Sequence, residues 1–155
     1  MMKMLVYAIA VFALPIGTAH AASTPPLREG LWQSHTQEIS SPGNKKTDSI
    51  SEICRNHAID EHAESLAKNM KGCTPISENI EGDTLTAEMR CAVGKTVIDS
   101  KSVVTFQGDT AAHSESHTTY TPGLAGMTGD VMIKDMKYVG SCPAGMKPGD
   151  VRYPK

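Results

Sequence analysis

Three side chains that can bind a metal ion or transfer a proton alternate within one short stretch, "AAHSESHTTY". His113, Glu115 and His117 stand at every second position there. The surrounding Ser, Thr and Tyr residues favour a strand, which would place all three side chains on one face. At about 3.3 Å per residue, the two imidazoles would lie roughly 13 Å apart, so a zinc site would need ligands from other strands. The simpler interpretation is an exposed polar stripe, with metal binding as the alternative.

No other group of residues forms a catalytic or cofactor pattern. His57 and His62 are five positions apart and would point to different sides of a helix. His35 belongs to a different predicted strand, and nothing in the sequence places it beside the stripe. There is no H-E-x-x-H, no G-x-S-x-G and no glycine-rich phosphate loop. The methionines that follow residue 21 form no M-x-M cluster, which favours core packing over copper binding. We therefore predict no catalytic residue and no cofactor.

Residues 1–21 have the layout of a secretory signal peptide. Lys3 precedes an apolar run from Leu5 to Leu14, and small residues end at Ala21, where we expect cleavage. The run is too short to span a bilayer, so we expect a periplasmic or secreted protein with no membrane span in its mature form. Loss of Lys3 changes the net charge from −2 to −3, and this mild acidity argues against nucleic-acid binding.

Four cysteines predict two disulfide bonds in the exported chain. Cys54, Cys73, Cys91 and Cys142 are an even number, and no two are closer than 18 positions. This spacing is unlike a C-x-x-C metal site, and an exported domain meets oxidising conditions. Three connectivities are possible. The preferred one joins Cys54 to Cys73 around a predicted helix and Cys91 to Cys142 between two strands.

A single helix is predicted within "RNHAIDEHAESLAKNMKG". Ile59, Ala63, Leu66 and Met70 recur at helical spacing and form a narrow apolar stripe. Asn56 can cap the start, and Gly72 follows the end. We expect this helix to lie on a sheet through its apolar stripe.

The rest of the chain predicts short strands joined by turns. "TLTAEMRC" alternates apolar and polar residues, as in an antiparallel sheet with one wet face. "SPGNKK", "AVGK", "QGDT" and the glycine-rich loop "TPGLAGMTG" separate the strands. The predicted fold is therefore mainly β (α+β): an antiparallel meander of about 7–8 strands, curled or barrel-like, with one helix packed on it. Its single domain covers residues 22–142, and residues 143–155 are predicted to be an irregular tail rich in Pro and Gly.

Trp32 suggests how a curled sheet would close at one end. Gly30-Leu31-Trp32 opens the first predicted strand and resembles the G-x-W of the lipocalins, whose tryptophan lies beneath a basic residue from late in the chain. Lys137 or Arg152 would take that place here. The alternative interpretation is that Trp32 is an ordinary core residue. The resemblance implies a curled sheet that could hold an apolar ligand.

The order of short motifs resembles a bacterial family of exported proteins, domain-of-unknown-function family 3617. The motifs are "PPLREGLWQ", Cys54 before a helix, "GC" at Cys73, "MRC" at Cys91, "FQGDT" and "MKYVGSCP". Many members have M-x-M runs where this chain has "SPGNKK" and "HSESHT", and the resemblance implies no activity or catalytic residue.

Two hypotheses of function follow. The first is a non-enzymatic module that binds an apolar small molecule or an envelope protein. The second is a metal-binding or metal-assisted hydrolytic protein that uses His113, Glu115 and His117.

Overall fold

A computed structural model describes residues 24–154 of the 155-residue chain, and the predicted signal peptide lies outside this range. The elements are β1 (Gly30–Ser41), β2 (Lys45–Arg55), α1 (His57–Lys68), β3 (Cys73–Glu81), β4 (Thr84–Val93), β5 (Thr96–Gln107), β6 (Ala111–Leu124), β7 (Met127–Gly140) and β8 (Val151–Arg152). The prediction of a mainly β chain with one helix and about 7–8 strands is confirmed.

All eight strands form one antiparallel sheet in the order β3-β4-β5-β6-β7-β1-β2-β8. The strands from β3 to β7 are a meander, and the hairpin of β1 and β2 extends it because β1 pairs with β7. The sheet is not closed into a barrel, and β3 and β8 are its edges. Gly82, Gly94 and Gly108 turn three of the hairpins with φ of 59°, 59° and 61°, a conformation in which only glycine avoids a steric penalty.

The register divides the sheet into two faces, because residues directly opposite each other across paired strands share a face. One face carries Trp32 opposite Tyr138 on β7, and Ala112 opposite both Met136 and Phe106. We call this the helix-side face, since α1 lies over it: the strand residues Ala87, Met89 and Ser102 line a cavity together with Glu64 and Ala67 of α1. The opposite surface, which includes His113, is the outer face.

The fully buried apolar core is small and lies at one end of the sheet. Its members are Leu27, Leu31, Trp32, Cys54 and Ala112. Trp32 is 1% exposed, and its indole Nε1 donates to the carbonyl of Arg28 at 2.7 Å. The ring of Tyr138 meets Trp32 edge-on, with centroids 6.2 Å apart.

The basic residue over Trp32 is neither of the two expected from the sequence. The Arg55 guanidinium lies 5.3 Å from the centroid of a Trp32 ring. Lys137 instead pairs in register with Gln33, which places it on the outer face. Arg152 donates to Glu52 at 2.6 Å. The lipocalin-like expectation was therefore wrong in detail, because Lys137 points to the outer face and Arg152 is bound to Glu52, whereas Arg55 lies on the same face as Trp32.

Both disulfides form, but not in the preferred connectivity. Cys73 bonds to Cys91 and Cys54 to Cys142, with Cα atoms 3.9 and 5.6 Å apart. Cys73 and Cys91 are direct register partners in the β3–β4 hairpin. The preferred pairing of Cys54 with Cys73 was wrong because Cys54 is on β2 and Cys73 begins β3, and these two strands are not neighbours in the sheet.

Two segments expected to be irregular contain paired strand. The glycine-rich segment shortens to a turn at Ala125 and Gly126, because β6 runs to Leu124 and β7 begins at Met127. Gly129 is needed for close approach, since a Cβ atom there would stand 2.6 Å from the Thr118 carbonyl oxygen. The predicted irregular tail contains β8, which pairs with β2.

The helix lies over the sheet with a different side than expected. None of its residues is buried, and Leu66 and Met70 of the predicted stripe are 58% and 52% exposed. The α1 residues that face the sheet cavities include Glu64, and residues two positions apart, such as Glu64 and Leu66, do not share a helix face. The expectation that the apolar stripe makes the contact was wrong, because α1 is held by its ends.

Candidate functional site

Open space lies between α1 and the helix-side face. One cavity of about 390 Å³ includes Leu27 and Phe106 below and Glu61 of the helix above. A second, of about 220 Å³, includes Met89 on its floor. Both are lined by Glu64, so the space continues along the helix. We call it the α1 cleft; the larger cavity alone is within the size range of small-molecule sites.

Contacts at its two ends, rather than side-chain packing, hold α1 over the cleft. At the start, the Ile59 backbone N–H donates to the Asn56 side chain at 2.9 Å, and this cap satisfies a free helix donor. The Arg55 side chain donates to Asp60, also at 2.9 Å, in a half-buried ion pair. Covalent links lie close on both sides, at Cys54 before the helix and Cys73 after it. The helix is therefore fixed in place without filling the space beneath it.

The floor of the cleft belongs to a face rich in small and apolar side chains. Ala87 lies in one cross-strand row with Ser102 and Ser116, whose hydroxyl oxygens are 2.7 Å apart. The apolar residues of this face that remain only half-buried include Leu85, Met89, Ile98, Val104, Phe106, Met132 and Met136. A face with this composition retains apolar surface that a ligand can cover.

Tyr120 makes the shortest polar contact of the helix-side face. Its hydroxyl donates to Asp130 Oδ2 at 2.5 Å. This hydrogen bond, together with partial burial, raises the pKa of Tyr120 to about 12. The pair joins β6 to β7 near their common turn, and we read it as a structural link.

The predicted stripe lies on the outer face, where it divides into two separate pairs. His117 Nε2 donates to Glu115 Oε1 at 2.7 Å. His113 Nδ1 donates instead to Asp135 Oδ1, also at 2.7 Å. Asp135 stands between His113 and His35 in the register, because it is the direct partner of both. The structure therefore brings His35 beside the stripe and adds a carboxylate that the sequence analysis missed.

The side chains as they stand do not form a metal centre. Within residues 24–154, no three His, Cys, Asp or Glu side chains converge on a point where an ion could sit. His35 Nε2 is engaged by Asp48 at 2.9 Å, and the side chains of His35, His113 and His117 are 43%, 43% and 58% exposed. Only the β1–β7–β6 register, which a single sequence does not specify, could have identified Asp135 as their neighbour.

The family comparison covers the cleft and its supports. A family model described as a protein of unknown function, DUF3617, matches residues 27–142. The chain belongs to this family. The DUF3617 match begins at the buried Leu27 and ends at Cys142, so it includes α1, the strands from β1 to β7 and both disulfides.

Two further findings concern this DUF3617 domain. No curated protein matches the chain. Among residues 24–154, the helix is too short and too polar to cross a membrane.

Proposed function

We propose that this protein is an exported, non-enzymatic module that binds an apolar small molecule in the α1 cleft. One observation carries the proposal: α1 covers a face with half-buried apolar side chains, such as Phe106 and Met89, yet buries none of its own residues. Covering apolar surface contributes roughly 25 cal/mol for each Å² removed from water. A ligand in the cleft would gain this energy from surfaces that are already positioned.

Two features support export. Residues 1–21 have the layout of a signal peptide. All four cysteines are within bonding distance in pairs, which is typical of proteins in the periplasm or outside the cell.

Three polar side chains that border the cleft, from Asp60, His57 and Lys68, already have structural partners, which favours binding over catalysis. Asp60 accepts from Arg55, and His57 Nε2 donates to the carbonyl of Leu27 at 3.2 Å. Lys68 donates to Glu64 at 2.6 Å. A general base needs a free position from which it reaches the substrate, and these groups are committed to holding the helix.

The test of the proposal uses two neighbouring positions on β4 that point to opposite faces. Ala87 faces the cleft, and Thr86 belongs to the outer face. Ala87→Phe should fill the smaller cavity and weaken binding of the apolar fluorophore N-phenylnaphthylamine, whereas Thr86→Phe should leave it unchanged. Circular dichroism and melting curves would verify that both variants fold. Equal binding by both variants would exclude the smaller cavity as the site, and no binding by the unmodified protein would overturn the proposal.

Metal binding stands as a second candidate, favoured by the register that aligns His35, Asp135 and His113 on the outer face. For His35 and His113 to bind the same ion, both imidazoles would have to turn away from their present carboxylate partners. Zinc titration by calorimetry separates two ligand sets: His35→Ala would weaken binding if this row holds the ion, and His117→Ala would do so if the predicted stripe holds it. Failure of untagged protein to bind zinc would remove this candidate.

A further inference from the structure

The charges around the α1 cleft are unequally distributed. Four carboxylates line it, from Asp60, Glu61, Glu64 and Glu78, against the two cations of Arg55 and Lys68. Glu88 also borders the smaller cavity, but its carboxylate is bound by Lys101 at 3.0 Å and belongs to the outer face. The cleft therefore has an excess of negative charge.

Ion pairs within the cleft leave one carboxylate uncompensated in each cavity. Arg55 pairs with Asp60 at 2.9 Å, and Lys68 pairs with Glu64 at 2.6 Å. Among the described residues, Glu61 in the larger cavity and Glu78 in the smaller one have no cation within ion-pair distance. Glu64, and to a lesser extent Glu78, raises the pKa of Lys68. The positive charge stabilised at that end is the ammonium of Lys68 itself.

We propose that the ligand of the α1 cleft is an apolar molecule that carries a positive charge, such as an alkylammonium. The inference rests on the proposed function and adds the charge of the ligand to it. The apolar body would lie on the floor formed by Phe106 or Met89, and the ammonium would reach Glu61 or Glu78 at the rim. Apolar walls focus the field of such carboxylates, and the same field repels an anionic amphiphile.

A lysine on the helix-side face provides a test for a ligand of the opposite, negative charge. Lys134 on β7 is the direct register partner of Ser114 and Thr36, so it belongs to the same face as the cleft floor. It borders neither cavity. An anionic ligand that lay further across the sheet could pair with Lys134.

Three probes with the same chain test the charge: decyltrimethylammonium, decanol and decanoate, each measured by displacement of N-phenylnaphthylamine below its micellar concentration. We expect the ammonium to bind several-fold more tightly than decanol, and its affinity to fall as salt is added. Glu61→Gln and Glu78→Gln should each weaken ammonium binding about two- to fivefold, as for exposed ion pairs, and leave decanol binding unchanged. Glu81→Gln is the matched control, because Glu81 is on the same strand as Glu78 but pairs in register on the outer face.

The outcomes of this experiment distinguish the inference about ligand charge from the proposed apolar binding site on which it rests. The inference of a positively charged ligand would be refuted if the ammonium and decanol bound equally well. It would also be refuted if decanoate bound more tightly and Lys134→Gln abolished that binding. In both cases the apolar site would remain supported. If none of the three probes displaces the fluorophore, or if the fluorophore itself does not bind, the apolar site fails first and the charge inference fails with it.

Discussion

The two disulfides should contribute unequally to stability, and the loops that they close set the difference. Cys73–Cys91 closes a loop with a sequence separation of 18, and Cys54–Cys142 one of 88. In the chain-entropy model, these loops correspond to about 3.2 and about 4.6 kcal/mol of stabilisation at room temperature. Replacing Cys54 and Cys142 with Ala should therefore destabilise the protein by roughly 1.4 kcal/mol more than replacing Cys73 and Cys91.

Denaturant unfolding of the oxidised protein and of both Ala pairs measures this difference directly. Ala is preferred to Ser at Cys54, because that side chain is 2% exposed and a buried hydroxyl would add a cost of its own. Peptide mapping without reductant checks the connectivity first. Equal losses, or a larger loss for the Cys73–Cys91 hairpin pair, would refute the reasoning that loop length dominates.

Three further outcomes test individual contacts. The hydrogen bond to Asp130 raises the pKa of Tyr120 to about 12. It should stabilise the fold fully below the unfolded-state pKa of about 10, and this contribution should be lost as pH rises through 12. Ultraviolet titration should show that Asp130→Asn lowers the pKa of Tyr120. Gly129→Ala should cost about 1–3 kcal/mol in denaturant unfolding, because its Cβ would meet the Thr118 carbonyl, and an unchanged midpoint would contradict the close approach. Leu66→Ser should change stability by no more than about 0.5 kcal/mol, since Leu66 is exposed; a loss of several kcal/mol would show that the helix packs through its apolar stripe.

Local patterns were sufficient to predict most of the elements but not all of their pairings. Alternation and turn residues identified the strands, and the spacing from Ile59 to Met70 identified the helix, because both signals depend on neighbours in sequence. One of the two partners of β1 is β7, which is nearly the whole chain away, and no local signal specifies that register. The error in disulfide connectivity had the same origin, since Cys73 meets Cys91 through strand register.

The candidate sites also depend on contacts between distant residues that sequence patterns do not specify. The sequence singled out His113 and His117 by their alternation, but only the sheet brings Asp135 and His35 to them. The α1 cleft left no sequence signal at all. The apolar stripe predicted that Leu66 would cover the sheet, whereas the end contacts of the helix direct Glu64 toward it.

The thin core, the disulfides and the cleft are parts of one arrangement. A small domain that filled its helix-side face with α1 would gain stability from packing and would have no room for a ligand. Here the fully buried apolar residues cluster around Trp32, and crosslinks at Cys54 and Cys73 tie down the strands on either side of α1. Small domains commonly replace missing core with covalent links. Because the links stabilise the fold without occupying its interior, apolar surface beneath the helix stays available for binding.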